Sequence, residues 1–218
     1  MRTPHDEYPA YARSERIADG AVHAIGLTAA LAGAIFLIVW AALHLGGGHI
    51  AALSVYGVGL VATFAASAFY HMTPWTGLRP ALRRIDHAAI YLKIAGTYTP
   101  LVAMIGSAFA YSLLAVVWLL AVYGMIRKLF FWSVPGRFGP ALYLVMGWMG
   151  VAVIWSAVPI LPGLSTWLIA AGGLLYSAGV IFYSWDSLKF SNAIWHGFVV
   201  VASACFFAAI SIGASALV

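Results

Sequence analysis

Charged side chains are scarce in this sequence. Asp, Glu, Lys and Arg make up 8% of its 218 residues, where a soluble domain carries about 25%. That shortage excludes an ordinary water-soluble fold. It also argues against nucleic acid as a partner, although Lys and Arg outnumber Asp and Glu by 11 to 6. Cysteine is nearly missing: Cys205 stands alone, so no disulfide can form within the chain. Sequence repeats, low-complexity tracts and linkers are lacking too, which leaves no place for a separate soluble domain. Residues 1–19 have no short apolar core of the kind a signal peptide needs. The run that follows, about 21–43, is too long to be one and is expected to stay as a helix. The last apolar run holds no lysine, which excludes a retinal-type Schiff base there.

Apolar length is what the chain has in abundance. Hydrophobic residues are 64% of the total and the mean hydropathy is +0.97. A membrane-spanning helix needs about 20 apolar residues. Reading runs between glycine and proline breaks predicts seven spans, near 18–43, 51–72, 85–105, 108–129, 138–158, 165–185 and 193–216. The expected fold is an all-α integral membrane bundle of seven helices, with residues 1–14 as a polar tail and 15–218 as one membrane domain.

The few basic residues then set a direction. Arg13 and Arg16 precede the first span; Arg79, Arg83 and Arg84 fill the second loop; Arg127, Lys128 and Arg137 the fourth; Lys189 the sixth. The first, third and fifth loops have no Lys or Arg. Basic loops stay in the cytoplasm, so the N-terminus is expected inside and the C-terminus outside. The same bias accounts for the net charge of +5.

Polar groups inside apolar runs collect at that cytoplasmic end. Glu15, Asp19 and His23 begin the first span, His71 ends the second, Asp86 and His87 begin the third, and Asn192 and His196 begin the seventh. Gly59, Thr63, Ser67 and His71 recur every four residues and form one stripe, expected to face the bundle because small residues let helices approach. Leu60 is expected to tolerate bulk better than Thr63. Asn192 and His196 share a helical face, as do Glu15, Asp19 and His23. Two imidazoles from different helices with a carboxylate nearby are the material of a zinc site. The carboxylate binds the ion directly, orients a ligand, or positions a water. Ionisable groups within spans are hypotheses of function by default. Arg83 and Arg84 offer Asp86 a salt bridge instead. His44 and His49 lie at the opposite end, as interfacial groups, and His5 in the tail. Lys93, seven residues beyond Asp86, either reaches back toward Asp86 or Asp19 or snorkels along its helix.

Four stretches carry a resemblance: ERIADGAVHAIG at 15–26, SAFYH at 67–71, IDHAAIYLKIAGTYTP at 85–100 and NAIWHGF at 192–198. In this order they resemble the hemolysin III family, the bacterial branch of the progestin and adipoQ receptor superfamily. The resemblance implies a multi-pass protein of the bacterial inner membrane with a zinc ion near the cytoplasmic face. His71 and His196 would be ligands, Asp86 would hold the water on the metal, and Ser67 would sit beside it. Asn192 departs from the family, which has a histidine there, and an amide is a weak zinc ligand beside imidazole. His23, His87 or Asp86 would then complete the shell, with Glu15 and Asp19 as further acidic candidates.

Membrane lipids are the expected partners. The resemblance implies a role in membrane homeostasis or signalling, or a zinc-dependent hydrolase acting on a lipid amide or ester from the cytoplasmic leaflet, since the superfamily is similar to alkaline ceramidases in ligand pattern. A cytolysin is the further alternative that the family's name implies. The orientation is testable directly: reporter fusions at the two termini should report opposite sides of the membrane, and the same side for both would refute seven crossings.

Overall fold

The computed structural model describes residues 11–131, 138–185 and 187–218. Arg137 of the fourth loop, His5 and most of the predicted N-terminal tail lie outside them. Eight helical elements follow in order: α1 (Arg13–His44), α2 (Gly47–Met72), α3 (Arg79–Ile105), α4 (Ala108–Phe130), α5 (Phe138–Trp148), α6 (Gly150–Ala157), α7 (Gly163–Tyr183) and α8 (Ser191–Ser215). Six of them are long and apolar enough to span a bilayer, and α5 with α6 forms a shorter fifth segment. The chain is therefore a multi-pass membrane protein.

Helix starts follow local chemistry. Pro80 lies in the first turn of α3, where its missing N–H costs nothing, so α3 begins several residues before the predicted 85. Ser107 caps α4 by accepting from Ala110 N. Gly106 ends α3 in the left-handed region, φ +69°, which glycine adopts without strain.

The fifth predicted span is interrupted at Met149, and the cause is a side chain from another helix. Tyr98 of α3 donates its hydroxyl proton to Met146 O at 2.6 Å, and its oxygen stands beside Gly150, whose N–H is the helical partner of that carbonyl. Those two backbone groups would otherwise pair with each other one turn apart. A side chain inserted into the ladder breaks a helix there.

Helix α3 sits at the centre. It packs on α2 and α4 and also touches α5, α6 and α8, while α1 lies between α2 and α8, and α8 pairs with α7. In its most apolar stretch 67% of residues are buried, against 22% in α4 and α7. Small residues make the close contacts: Gly26 faces the Phe64 ring, Gly124 the Tyr91 ring and Gly172 the Phe206 ring. The outer surface is apolar, with Trp155, Trp167, Leu119 and Phe69 among its exposed side chains.

The predicted stripe on α2 faces inward. Thr63 is buried and donates to Gly59 O at 2.8 Å and to Ala89 O of α3 at 2.9 Å. Leu60 corrects the expectation made for it, because it is buried as well. Helix α2 is held by α1 on one side and α3 on the other, so its enclosed face is wide. Val58, 61% exposed, is the lipid-facing position. Thr63→Leu should lower the melting temperature in detergent by several degrees, at about 2–4 °C per kcal/mol for a chain of this size. Val58→Leu should leave it within a degree or so. Equal losses would show that the Thr63 contacts carry no stability.

Candidate metal centre

The polar groups scattered along the sequence meet at one end of the bundle. His23 from α1, His71 from α2 and His196 from α8 each offer a ring nitrogen, and the three nitrogens lie within 4.8 Å of one another. The ring centroids are 4.2 to 5.2 Å apart. Their closeness follows from the helix order, since α1 packs against both α2 and α8.

One carboxylate orients two of these rings. His196 Nδ1 donates to Asp19 Oδ1 at 3.0 Å. His23 Nδ1 donates to Asp19 O at 2.8 Å and lies 3.3 Å from Asp19 Oδ1. With both Nδ1 atoms occupied, both Nε2 atoms turn inward, and they stand 3.2 and 3.4 Å from Ser67 Oγ. Carboxylates that hold the far nitrogen of a metal-binding histidine fix its tautomer in just this way. Asn192 Nδ2 donates to the other oxygen, Asp19 Oδ2, at 2.7 Å and lies 3.2 Å from His71 Nδ1. Asn192 thus presents its amide nitrogen to Asp19 and His71, and the third imidazole of the group is His23.

The remaining candidates divide. Asp86 is buried on α3, with Ser67 and His23 near its carboxylate. His87 lies outside the group: its Nδ1 donates to Arg83 O at 2.9 Å, and its carbonyl accepts from Tyr143. Glu15 is spent on backbone, accepting from Ala12 N at 3.0 Å and from Phe190 N at 2.9 Å. Arg79, expected only as a loop charge, is buried and donates to Tyr70 O and Thr73 O, closing the end of α2 next to His71. Its buried role had no signal in the sequence.

Comparison with known proteins agrees with the four sequence stretches. Residues 12–207 match the family described as haemolysin-III related. The chain belongs to the haemolysin III family. It is 36% identical to the Hemolysin-3 homolog of Bacillus subtilis (strain 168), over 88% of this chain and 91% of that protein. It is 37% identical to Hemolysin-3 of Bacillus cereus, over 88% and 89%. Similarity extends to the human Monocyte to macrophage differentiation factor, at 32% identity over 72% of this chain and 67% of that one.

The donor set of this haemolysin III chain fits a zinc ion. Imidazole nitrogens about 2.1 Å from one ion stand at most about 4.2 Å apart, so small ring rotations would bring these three together. Three nitrogens with an oriented carboxylate behind them leave one coordination position free. Asp19→Ala should lower zinc affinity about 10- to 100-fold, the usual loss when such an orienting partner goes. Competition with a chelating dye would measure it, and wild-type affinity in the variant would refute the orienting role.

Proposed function

We propose that this chain holds a zinc ion on His23, His71 and His196 at the cytoplasmic end of the bundle and hydrolyses a lipid amide or ester there. The observation carrying the proposal is the three-histidine group with Asp86 and Ser67 beside it. Four protein ligands would describe a closed structural site, whereas three describe an open one. When bound, zinc supplies Lewis acidity, polarising a carbonyl and making water more acidic.

The chain's own residues supply the rest. Asp19 holds the His23 and His196 rings in register through their Nδ1 atoms. The Asp86 carboxylate, near Ser67, would take the proton from an attacking water as general base. It can then return that proton to the leaving nitrogen or oxygen. The apolar outer face of the bundle brings acyl chains alongside, so the substrate would be a lipid of the adjoining leaflet.

A second reading has its own support. The three histidines come from α1, α2 and α8, so an ion shared among them would tie the helices together, stabilising a protein of membrane homeostasis or signalling with no reaction at all. The name Hemolysin-3 describes the Bacillus cereus relative.

Metal content decides first. Purified protein should carry about one zinc per chain, and His23→Ala, His71→Ala and His196→Ala should each lose most of it. Stoichiometric metal in none of these, wild type included, would end both readings. Asp86→Asn then separates them. It should keep the metal and lose hydrolysis of a labelled lipid amide by at least about 100-fold, the usual contribution of a general base. Loaded wild type that cleaves neither amides nor esters would leave the stabilising role.

A further inference from the structure

A second polar layer lies two turns deeper than the histidines, and the metal centre makes no use of it. On α3 Lys93 follows Asp86 by seven residues, and on α8 Ser203 follows His196 by seven, about 10 Å along each helix. Lys93 Nζ donates to Ser203 Oγ at 2.7 Å. Ser203 in turn donates its proton to Val199 O, so its oxygen accepts, and the Tyr176 hydroxyl 2.8 Å away is its second donor. Lys93 thus does neither of the things expected from the sequence. It neither reaches back to Asp86 or Asp19 nor snorkels to the interface, and it is only 8% exposed.

Its charge is incompletely answered. The Phe64 and Tyr176 rings lie 4.8 and 5.1 Å from Nζ, and ring faces attract a cation. Yet no carboxylate pairs with it among the described residues, and an ammonium has three N–H donors to satisfy. A second unsatisfied donor lies on α2, which packs against α3. Tyr56 is 2% exposed, and its hydroxyl has no hydrogen-bond partner among the described residues. Its backbone packs against Gly96, one turn along α3 from Lys93.

We propose that Lys93, Ser203, Tyr176 and Tyr56 form a metal-independent binding site for one small monovalent anion such as chloride. Lys93 and Tyr56 supply the donors, while Ser203 and Tyr176 hold the ammonium in place. One cation among apolar walls balances one negative charge, which disfavours sulfate or phosphate. Phe64, itself buried, lies against Lys93. A monatomic ion asks for much less volume than a lipid carboxylate.

Titration of chloride into purified full-length protein, with gluconate keeping ionic strength constant, tests the site. The melting temperature should rise and saturate in wild type, as for any ligand that binds only the folded state. Lys93→Met should abolish the response. Tyr56→Phe removes an oxygen that no protein group uses among the described residues, so it should melt like wild type in gluconate. Its chloride affinity should be roughly tenfold weaker, the effect of losing one hydrogen bond to a charge. Line broadening of the chloride NMR signal should follow the same order among the three proteins. An unchanged melting temperature in wild type, or an equal response in Lys93→Met, would overturn the site. So would a fatty carboxylate that copurifies with wild type but not with Lys93→Met and blocks the chloride response.

Discussion

A carboxylate enclosed by apolar helices must surround itself with donors, because an unpaired buried charge costs several kcal/mol. Asp19 finds its donors in His23 on its own helix and in His196 and Asn192 on the last. Those contacts hold α1 against α8 and bring the first and last apolar segments side by side. His71 is drawn in through Asn192. The alignment of three imidazoles is therefore a result of satisfying one negative charge. Its neighbours gather at the same rings: Ser67 lies between two Nε2 atoms, and Asp86 is near Ser67.

Much of this was legible in the sequence. Runs of apolar residues located six long helices within a few positions, since span length is set by the bilayer and not by tertiary detail. The gathering of Asp19, His23, Ser67, His71, Asp86, Asn192 and His196 at one end followed from counting odd and even crossings. Which of them touch was not legible, because that depends on the order of helices around the bundle. His23 stood as one of several possible third nitrogens until α1 was seen between α2 and α8. Four-residue spacing paired Asp19 with His23, while its reach to His196 crosses 177 positions and leaves no local trace. Leu60 was misjudged because a stripe of small residues marks one close contact and says nothing about a second helix flanking it.

The interruption between α5 and α6 shows a different limit. Gly147 and Gly150 flank the break and weaken the helix there, but the group that takes the Met146 carbonyl is Tyr98, 48 positions earlier in the chain. Local propensity describes what a segment prefers alone. A hydroxyl delivered from a neighbouring helix can outcompete a backbone donor for the same carbonyl, particularly where no water is at hand.

The tie between Glu15 and Phe190 has a consequence for biosynthesis. Phe190 turns into α8 with φ at 63°, a left-handed conformation that a non-glycine residue holds only when its surroundings enforce it, and Glu15 at the start of α1 accepts its N–H. The two ends of this clasp are synthesised 175 residues apart. Asp19 and His23 enter the membrane early and wait, with His196 and Asn192 still to be synthesised. Until the ribosome has delivered α8, the nascent bundle carries an Asp19 carboxylate answered by His23 alone and only two of its three imidazoles. A chain terminated before residue 190 lacks Asn192 and His196, two of the three donors to Asp19, together with one of the three imidazoles.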